Sequence, residues 1–445
     1  MIGLFPIPDT WSWRTLGEIS EVVGGVTKDS KKQSDPELPL VPYLRVANVQ
    51  RGHLDLNQVA EIRVPVKTLD KLRLQRGDVL LNEGGDRDKL GRGWIWENQI
   101  DNCIHQNHVF RSRILNNAMR PKLLAWFTNE CAKSWFWDNA TQSVNLASIS
   151  LSTIKSLPIP VPPIHEQESI ESAIDSLLSR IDVGTSFLAS SALRLTALRK
   201  RLIIDATEFR PTEGWTLSRL DAVAEVRLGR QRSPKHHSGT HMRPYLRAAN
   251  VGWEGLKLGD VKEMNFTDAE AKVFHLEPGD LLLSEASGSP GEVGKPAYWN
   301  GEIDDCCFQN TLIRVRAHTI DPKYLFHFLY GEALAGNFGA VTQGVNIHHL
   351  GASRLSAWTV PIPPAAVQTQ IVDRLEESLA ATERVQESLV RNQIRSAALR
   401  QSVLMRAFAG ELLQPNEINA TDLAISPMEL IDSTESDQAV QEMLL

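Results

Sequence analysis

The octapeptide Pro42-Tyr43-Leu44-Arg45-Val46-Ala47-Asn48-Val49 returns as Pro244-Tyr245-Leu246-Arg247-Ala248-Ala249-Asn250-Val251, with seven of eight residues identical at an offset of 202. Working outward, the same offset carries Arg76-Gly77-Asp78-Val79-Leu80-Leu81-Asn82-Glu83 onto Pro278-Gly279-Asp280-Leu281-Leu282-Leu283-Ser284-Glu285, and Trp13 onto Trp215. Small shifts then align Gln106-Asn107 with Gln309-Asn310, Thr141-Gln142-Ser143-Val144-Asn145-Leu146 with Thr342-Gln343-Gly344-Val345-Asn346-Ile347, and Pro160-Val161-Pro162-Pro163 with Pro361-Ile362-Pro363-Pro364. A fixed period of this kind means that one structural unit is written twice. The first part of each copy, residues 1–163 and 210–364, mixes short apolar runs bounded by turn residues (Asp78–Leu81, Val109–Ile114, Asp280–Leu283, Thr311–Val315) with helical stretches near 121–138 and 322–337. That alternation predicts compact α+β domains. The Pro-rich exits after them lack the donors of a helix or ladder and read as extended connectors.

Behind each exit lies a long helix, at 164–209 and 365–412. Ile170, Ile174, Leu177, Ile181, Gly184, Leu188, Ser191, Leu195, Leu198 and Leu202 recur at steps of 4 and 3, and so do Ile371, Leu375, Ser378, Thr382, Val385, Leu389, Asn392, Ser396, Leu399 and Val403. This is the spacing of a coiled-coil seam. Two imperfect stripes in one chain predict that the helices pack on each other, as antiparallel rods of roughly 60 Å at 1.5 Å per residue.

The chain has 445 residues and a formal charge of −7. The excess lies in the tail, residues 413–445, where Glu417, Asp422, Glu429, Asp432, Glu435, Asp437 and Glu442 stand without a Lys or Arg. Everything before the tail is neutral overall, so the charge of the whole chain does not argue against nucleic acid. The tail reads as disordered. Four cysteines, with no C-x-x-C pair, form neither a disulfide framework nor a zinc site. A cytoplasmic protein is expected, because the N-terminus has no secretory pattern and no apolar run reaches a membrane-spanning length.

The ordered set of motifs, given twice and each time ending in a long helix, resembles the specificity subunit of type I restriction-modification enzymes over residues 13 to about 412. Two places depart from that pattern. The Glu-Gln pair after the prolines is Glu166-Gln167 in one copy and Val367-Gln368 in the other, and the Gly-x-Thr-Pro loop is reduced to Gly25-Val26-Thr27-Lys28 and Gly229-Arg230-Gln231-Arg232. The resemblance implies two target recognition domains, each reading half of a split double-stranded DNA sequence, separated by spacer helices in a pseudo-two-fold arrangement. It implies as partners modification subunits, two of them, which carry S-adenosylmethionine and methylate adenine, and restriction subunits with translocase and nuclease activity. This chain itself would hold no cofactor. Divergence between the two copies predicts an asymmetric, bipartite target.

Phosphate contacts need cations and base reading needs polar groups on loops. One acid-free run, Arg227, Arg230, Arg232, Lys235, His236, His237, His241 and Arg243, aligns with Lys28, Lys31 and Lys32 in the first copy. Further candidates follow the Gly-Asp turns: Arg87, Lys89 and Arg92 in one copy, Ser287, Ser289 and Lys295 in the other. Arg45 and Arg247, Asn48 and Asn250, and Gln106 and Gln309 recur in both copies, so they cannot encode a difference between half-sites and point to scaffold or phosphate roles.

Catalytic patterns are missing. Neither Val161-Pro162-Pro163-Ile164 nor Ile362-Pro363-Pro364-Ala365 has the polar leading residue of an adenine methyltransferase tetrapeptide, and Ser289 to Pro296 fails as a phosphate loop at both ends. Glu285-Ala286-Ser287 lacks a nuclease lysine, and His237 with His241 stands without a further metal ligand. Trp94, Trp96, Trp126, Trp135 and Trp137 read as packing residues. A non-catalytic subunit is expected; the alternatives are a self-contained DNA methyltransferase or nuclease, and a scaffold that binds proteins but no DNA.

Overall fold

A computed structural model describes residues 3–85, 89–142, 147–208, 214–233, 238–340 and 348–412. The chain divides into two compact units, residues 1–188 with 391–445, and residues 189–390.

The globular part of the first unit is built on a four-stranded antiparallel sheet in the order Ser20–Gly24, Val109–Ile114, Val79–Asn82, Gly93–Ile95. A second sheet places Leu40–Leu44 between Ile104–His105, which runs parallel to it, and Ala60–Arg63, which runs antiparallel. The second unit repeats both orders with Ala224–Leu228, Leu312–Ala317, Leu281–Ser284 and Pro296–Tyr298, and with Met242–Leu246 between Cys307–Phe308 and Lys262–Asn265. The expected strands therefore form, Val109–Ile114 with the expected bounds and the others shifted by one or two residues.

The recurrent Gly-Asp turn has a local cause. Gly77 and Gly279 hold φ values of +90° and +96°, which disfavour a side chain. The following Asp78 and Asp280 are buried, and each takes two hydrogen bonds of about 2.6–2.7 Å from one guanidinium, that of Arg113 or Arg316. Each also accepts the backbone N–H three residues earlier, from Gln75 or Glu277. A buried carboxylate of this kind is tolerable only because the fork-shaped partner and the turn donor satisfy it.

Three expectations are corrected. The Pro-rich exits are strands: Pro158–Val161 pairs with Ser12–Thr15, and Thr359–Ile362 with Thr216–Arg219. Pro158 and Pro160 stand two apart, so their missing donors fall on one edge and the N–H groups of Ile159 and Val161 stay available on the other. The helix expected at 121–138 is broken; Pro121–Trp126 passes through a π-helical turn at Phe127–Cys131 before Lys133–Asn139. Inside that turn Asn129 bonds both backbone groups of Gly93, at 3.0 and 2.8 Å. Its counterpart, Pro322–Leu334, ends before Gly336, whose φ is +78°. Finally, Trp137 is exposed, whereas Trp96 and Trp126 are buried and Trp94 and Trp135 pack against the core.

The long helices run Ile164–Thr207 and Ala365–Phe408, 44 residues each. Every seam position named above is buried or half-buried, including the polar Ser396 and Thr382. Within the first unit Ile170, Ile174 and Leu178 of the first helix share a core with Val403, Leu404, Ala407 and Phe408 of the second, and Arg400 bonds Asp182 at 2.5 Å. Within the second unit Arg199 reaches Glu383 at 3.2 Å. Each helix start is pinned by a buried glutamine. Gln167 accepts from the backbone N–H of Arg120 and donates to the carbonyls of Ala118 and Pro162, at 2.8, 3.1 and 2.9 Å. Gln368 accepts from the N–H of Asp321 and donates to Pro363, both at 2.8 Å. None of the helices among the described residues is long and apolar enough to cross a membrane.

Candidate nucleic-acid interface

The parallel pairing gathers several loops at one corner of each globular part. In the first unit Val26 and Gln106 form a parallel bridge, the Gln106 N–H donates to Leu44 O at 2.9 Å, and the Asn107 N–H donates to Val26 O at 3.0 Å. Three segments thus leave side by side: one leads to Lys28, one to Arg45, one to His108. The loop after the Gly-Asp strand joins them, because the Glu83 N–H donates to His108 O at 3.0 Å and Gly84–Gly85 pairs with Ala147–Ser148. That pairing also brings in Thr141 and Gln142. Gly25 is required here, since a Cβ would lie 2.0 Å from His105 O.

The second unit builds the same corner. Arg230 bridges Gln309, the Gln309 N–H donates to Leu246 O at 2.9 Å, the Glu285 N–H donates to Thr311 O at 2.9 Å, and Ala286–Ser287 pairs with His348–His349. Arg247 follows Leu246 and Arg232 stands two beyond Arg230. The bridges make Val26 equivalent to Arg230, and hence Lys28 to Arg232.

The candidates differ in what surrounds them. Lys28, Lys31 and Arg45 are exposed. Lys32 is exposed as well, on the short helix Ser30–Gln33, 3.6 Å from the Asp29 that caps it. Lys89 and Arg92 are half-buried, and Arg232 is exposed. Arg87, Lys235, His236 and His237 lie outside the described residues. The run that lacks acids in sequence meets them in space. Arg227 pairs with Glu225 at 2.6 Å, Arg243 with Asp305 and Asp268 at 3.0 and 3.3 Å, and Arg247 with Asp260 at 2.6 Å. His241 lies 3.5 Å from Asp268. Arg230 turns inward: it is 7% exposed, 2.6 Å from Glu270, bonded to Asn265 O and stacked over the Phe266 ring. Its guanidinium holds the fold and does not face solvent. Lys295 is likewise turned in toward Glu292.

Asn48 and Asn250 are fold residues. Each side-chain oxygen accepts the N–H of the preceding arginine, Arg45 or Arg247, and each amide donates to two carbonyls, of Asp55 and Gln58 or of Lys257 and Asp260. One feature of both corners escapes sequence reading. Glu83 pairs with His108 at 2.9 Å and Glu285 with His349 at 3.1 Å; the glutamates recur at the repeat offset but their histidines come from different segments. All four cysteines are free and buried, and burial pushes the thiols of Cys103, Cys306 and Cys307 up to about 12. No group of three or more His, Cys, Asp or Glu side chains among the described residues is arranged to hold a metal ion.

Comparison with known proteins gives a consistent picture. A family profile described as type I restriction modification DNA specificity domain matches residues 8–185 and again residues 212–390. The specificity subunit of the type I restriction enzyme EcoKI from Escherichia coli K12 is 23% identical over 435 residues, covering 91% of this chain and 90% of that protein. A putative type I restriction enzyme specificity subunit, MjaX, from Methanocaldococcus jannaschii is 27% identical, covering 83% and 87%. Among solved structures, one from a study of complex assembly and conformational transition of the type I R-M system superposes with a TM-score of 0.71 at 17% identity, over 92% of this chain and 100% of the other. The HsdS subunit of Thermoanaerobacter tengcongensis gives 0.55, also at 17% identity, over 92% and 98%.

Proposed function

We infer target recognition on DNA as the task of this chain, which belongs to the type I restriction modification DNA specificity domain family through two matches that together span most of its length. It is the DNA-recognition component of a type I restriction-modification system, and catalysis resides in other subunits. The observation that carries the reading is the loop corner built twice on one scaffold with different side chains. Two such corners are two readers: the backbone framework is common, and the half-sites differ because the loops differ.

In finer detail, residues 1–163 and 210–364 form the two target recognition domains, 164–209 with 365–412 form an antiparallel coiled-coil spacer, and the acidic segment 413–445 follows in sequence. Approximate two-fold symmetry of the readers would match the two-fold relation of duplex strands, so the target is bipartite. Lys28, Lys31, Lys32, Arg45 and Arg232, with the loops after the Gly-Asp strands, are proposed to meet the DNA; Arg230, Arg227, Arg243 and Arg247 already hold carboxylates. Modification subunits that bind S-adenosylmethionine, and restriction subunits, complete the assembly in the cytoplasm.

Purification with the products of neighbouring genes, followed by sequencing of methylated sites, tests this. The expected result is methylated adenines in a split, non-palindromic motif. A palindromic motif rejects the two-reader account, and methylation by the isolated chain rejects its non-catalytic role.

A further inference from the structure

The two corners share an arginine that they hold differently. Arg45 and Arg247 occupy one position: each N–H donates to the side-chain oxygen of the asparagine three residues on, at 2.9 and 3.1 Å. Each asparagine then closes its loop onto the carbonyl ten residues further, of Gln58 at 2.9 Å or of Asp260 at 3.1 Å. Gln58 and Asp260 are therefore equivalent, and so are Ala60 and Lys262, which pair with Tyr43 and Tyr245 in the same register.

The consequence falls on the guanidinium. In the second unit Asp260 takes a hydrogen bond from Arg247 at 2.6 Å through one oxygen and a contact from Lys262 at 2.6 Å through the other. Arg247 is pulled down until its side chain is 27% exposed. In the first unit the neutral Gln58 offers no charge, Ala60 offers only a methyl group, and Arg45 is exposed with no ion-pair partner among the described residues. Both groups of three residues carry one net positive charge. What differs is whether the arginine is available.

We propose that Arg45 grips a DNA phosphate in the first reader, and that Asp260 occupies the equivalent Arg247 in the second like an internal phosphate, leaving the two readers unequal in their sequence-independent hold on DNA. A guanidinium on the backbone of a rigid loop corner suits a phosphate as a fork-shaped donor. A residue present in both readers also fits a contact that carries no base information. The inference rests on the DNA-recognition reading above.

The test is a salt titration of target binding by the complete complex of this chain with its modification subunits. Each phosphate contact contributes about 0.9 to the slope of log K against log salt. Arg45→Ala and Gln58→Asp should each lower that slope by about 1 and weaken binding several-fold at low salt, whereas Arg247→Ala should leave the slope unchanged. Asp260→Gln should raise it by about 1 or more by freeing Arg247 and Lys262. All four substitutions spare the asparagine bonds, which end on backbone atoms, and thermal melting of each complex checks this. Unchanged binding by Arg45→Ala, or equal losses from Arg45→Ala and Arg247→Ala, overturns the proposal while leaving DNA recognition intact. A wild-type complex that binds no DNA overturns both.

Discussion

His105 ends the short strand Ile104–His105 at the corner of the first unit and is fully buried. Its Nδ1 lies 2.6 Å from Val109 O, which makes that nitrogen the donor, and its Nε2 has no hydrogen-bond partner. Burial holds its pKa down at about 4 against an ordinary 6.5. His327, buried on the helix Pro322–Leu334, is lowered to about 4 by the same cause, its Nε2 3.9 Å from Glu376 notwithstanding. A histidine with a depressed folded-state pKa stays neutral while the unfolded chain takes up a proton, so stability is lost as pH falls from about 6.5 toward 4. By pH 5 each should cost about 2 kcal/mol. Urea melts between pH 7 and 5 should show this loss, and His327→Gln should flatten the profile; a profile that His327→Gln leaves as steep would remove this histidine from the account. Such residues mark what sequence reading cannot reach. Arg230 sits in a basic run and read as a DNA contact, but the acid that claims it, Glu270, lies 40 residues away across a sheet; Val26 at the equivalent place needs no such partner.

At the scale of elements, local patterns were legible where one periodicity dominated. The seam from Ile170 to Leu202 is spaced by helix geometry alone, and all of it is covered. The Pro-rich exits form strands against the pattern because proline breaks a ladder only on the edge its nitrogen faces, which sequence alone does not give. The π-helical turn at Phe127–Cys131 was illegible because what accompanies it, Asn129 clamping Gly93, joins residues 36 apart. The glutamine that follows the prolines shows the opposite case: it was visible as part of a motif, and its reason appears only in the fold. Gln167 ties the first turn of its helix to the loop before Pro121 through two hydrogen bonds and to the Pro162 carbonyl through a third. Gln167→Ala would take these partners from the part-buried Arg120 N–H and Ala118 carbonyl and the buried Pro162 carbonyl, for a loss of about 2–3 kcal/mol. Gln167→Glu should fare little better, because a carboxylate accepts from Arg120 but cannot donate to Ala118 or Pro162. Denaturant midpoints equal to wild type for both variants would show that the pin is dispensable.

For the whole molecule the net charge of −7 sets the long-range field, and it comes from residues 413–445. A chain that must approach a polyanion carries its whole excess of like charge at one end, while the cations proposed to meet phosphate are few. Among those singled out, Arg227, Arg230, Arg243 and Arg247 are already engaged by carboxylates. Like-charge repulsion slows encounter more than it loosens a formed contact, since rim and distant charges act on association and close contacts on dissociation. Truncation after residue 412 should therefore speed DNA association by the assembled complex a few-fold at low ionic strength and leave dissociation nearly unchanged. The difference should fade as the Debye length shrinks from about 10 Å at 0.1 M salt to about 3 Å at 1 M. Stopped-flow or surface-capture kinetics at several salt concentrations separates the two rates. Faster dissociation in the truncated protein would mean that the tail helps hold the complex together; equal association rates at all salt concentrations would place its charge too far from the approaching DNA to matter.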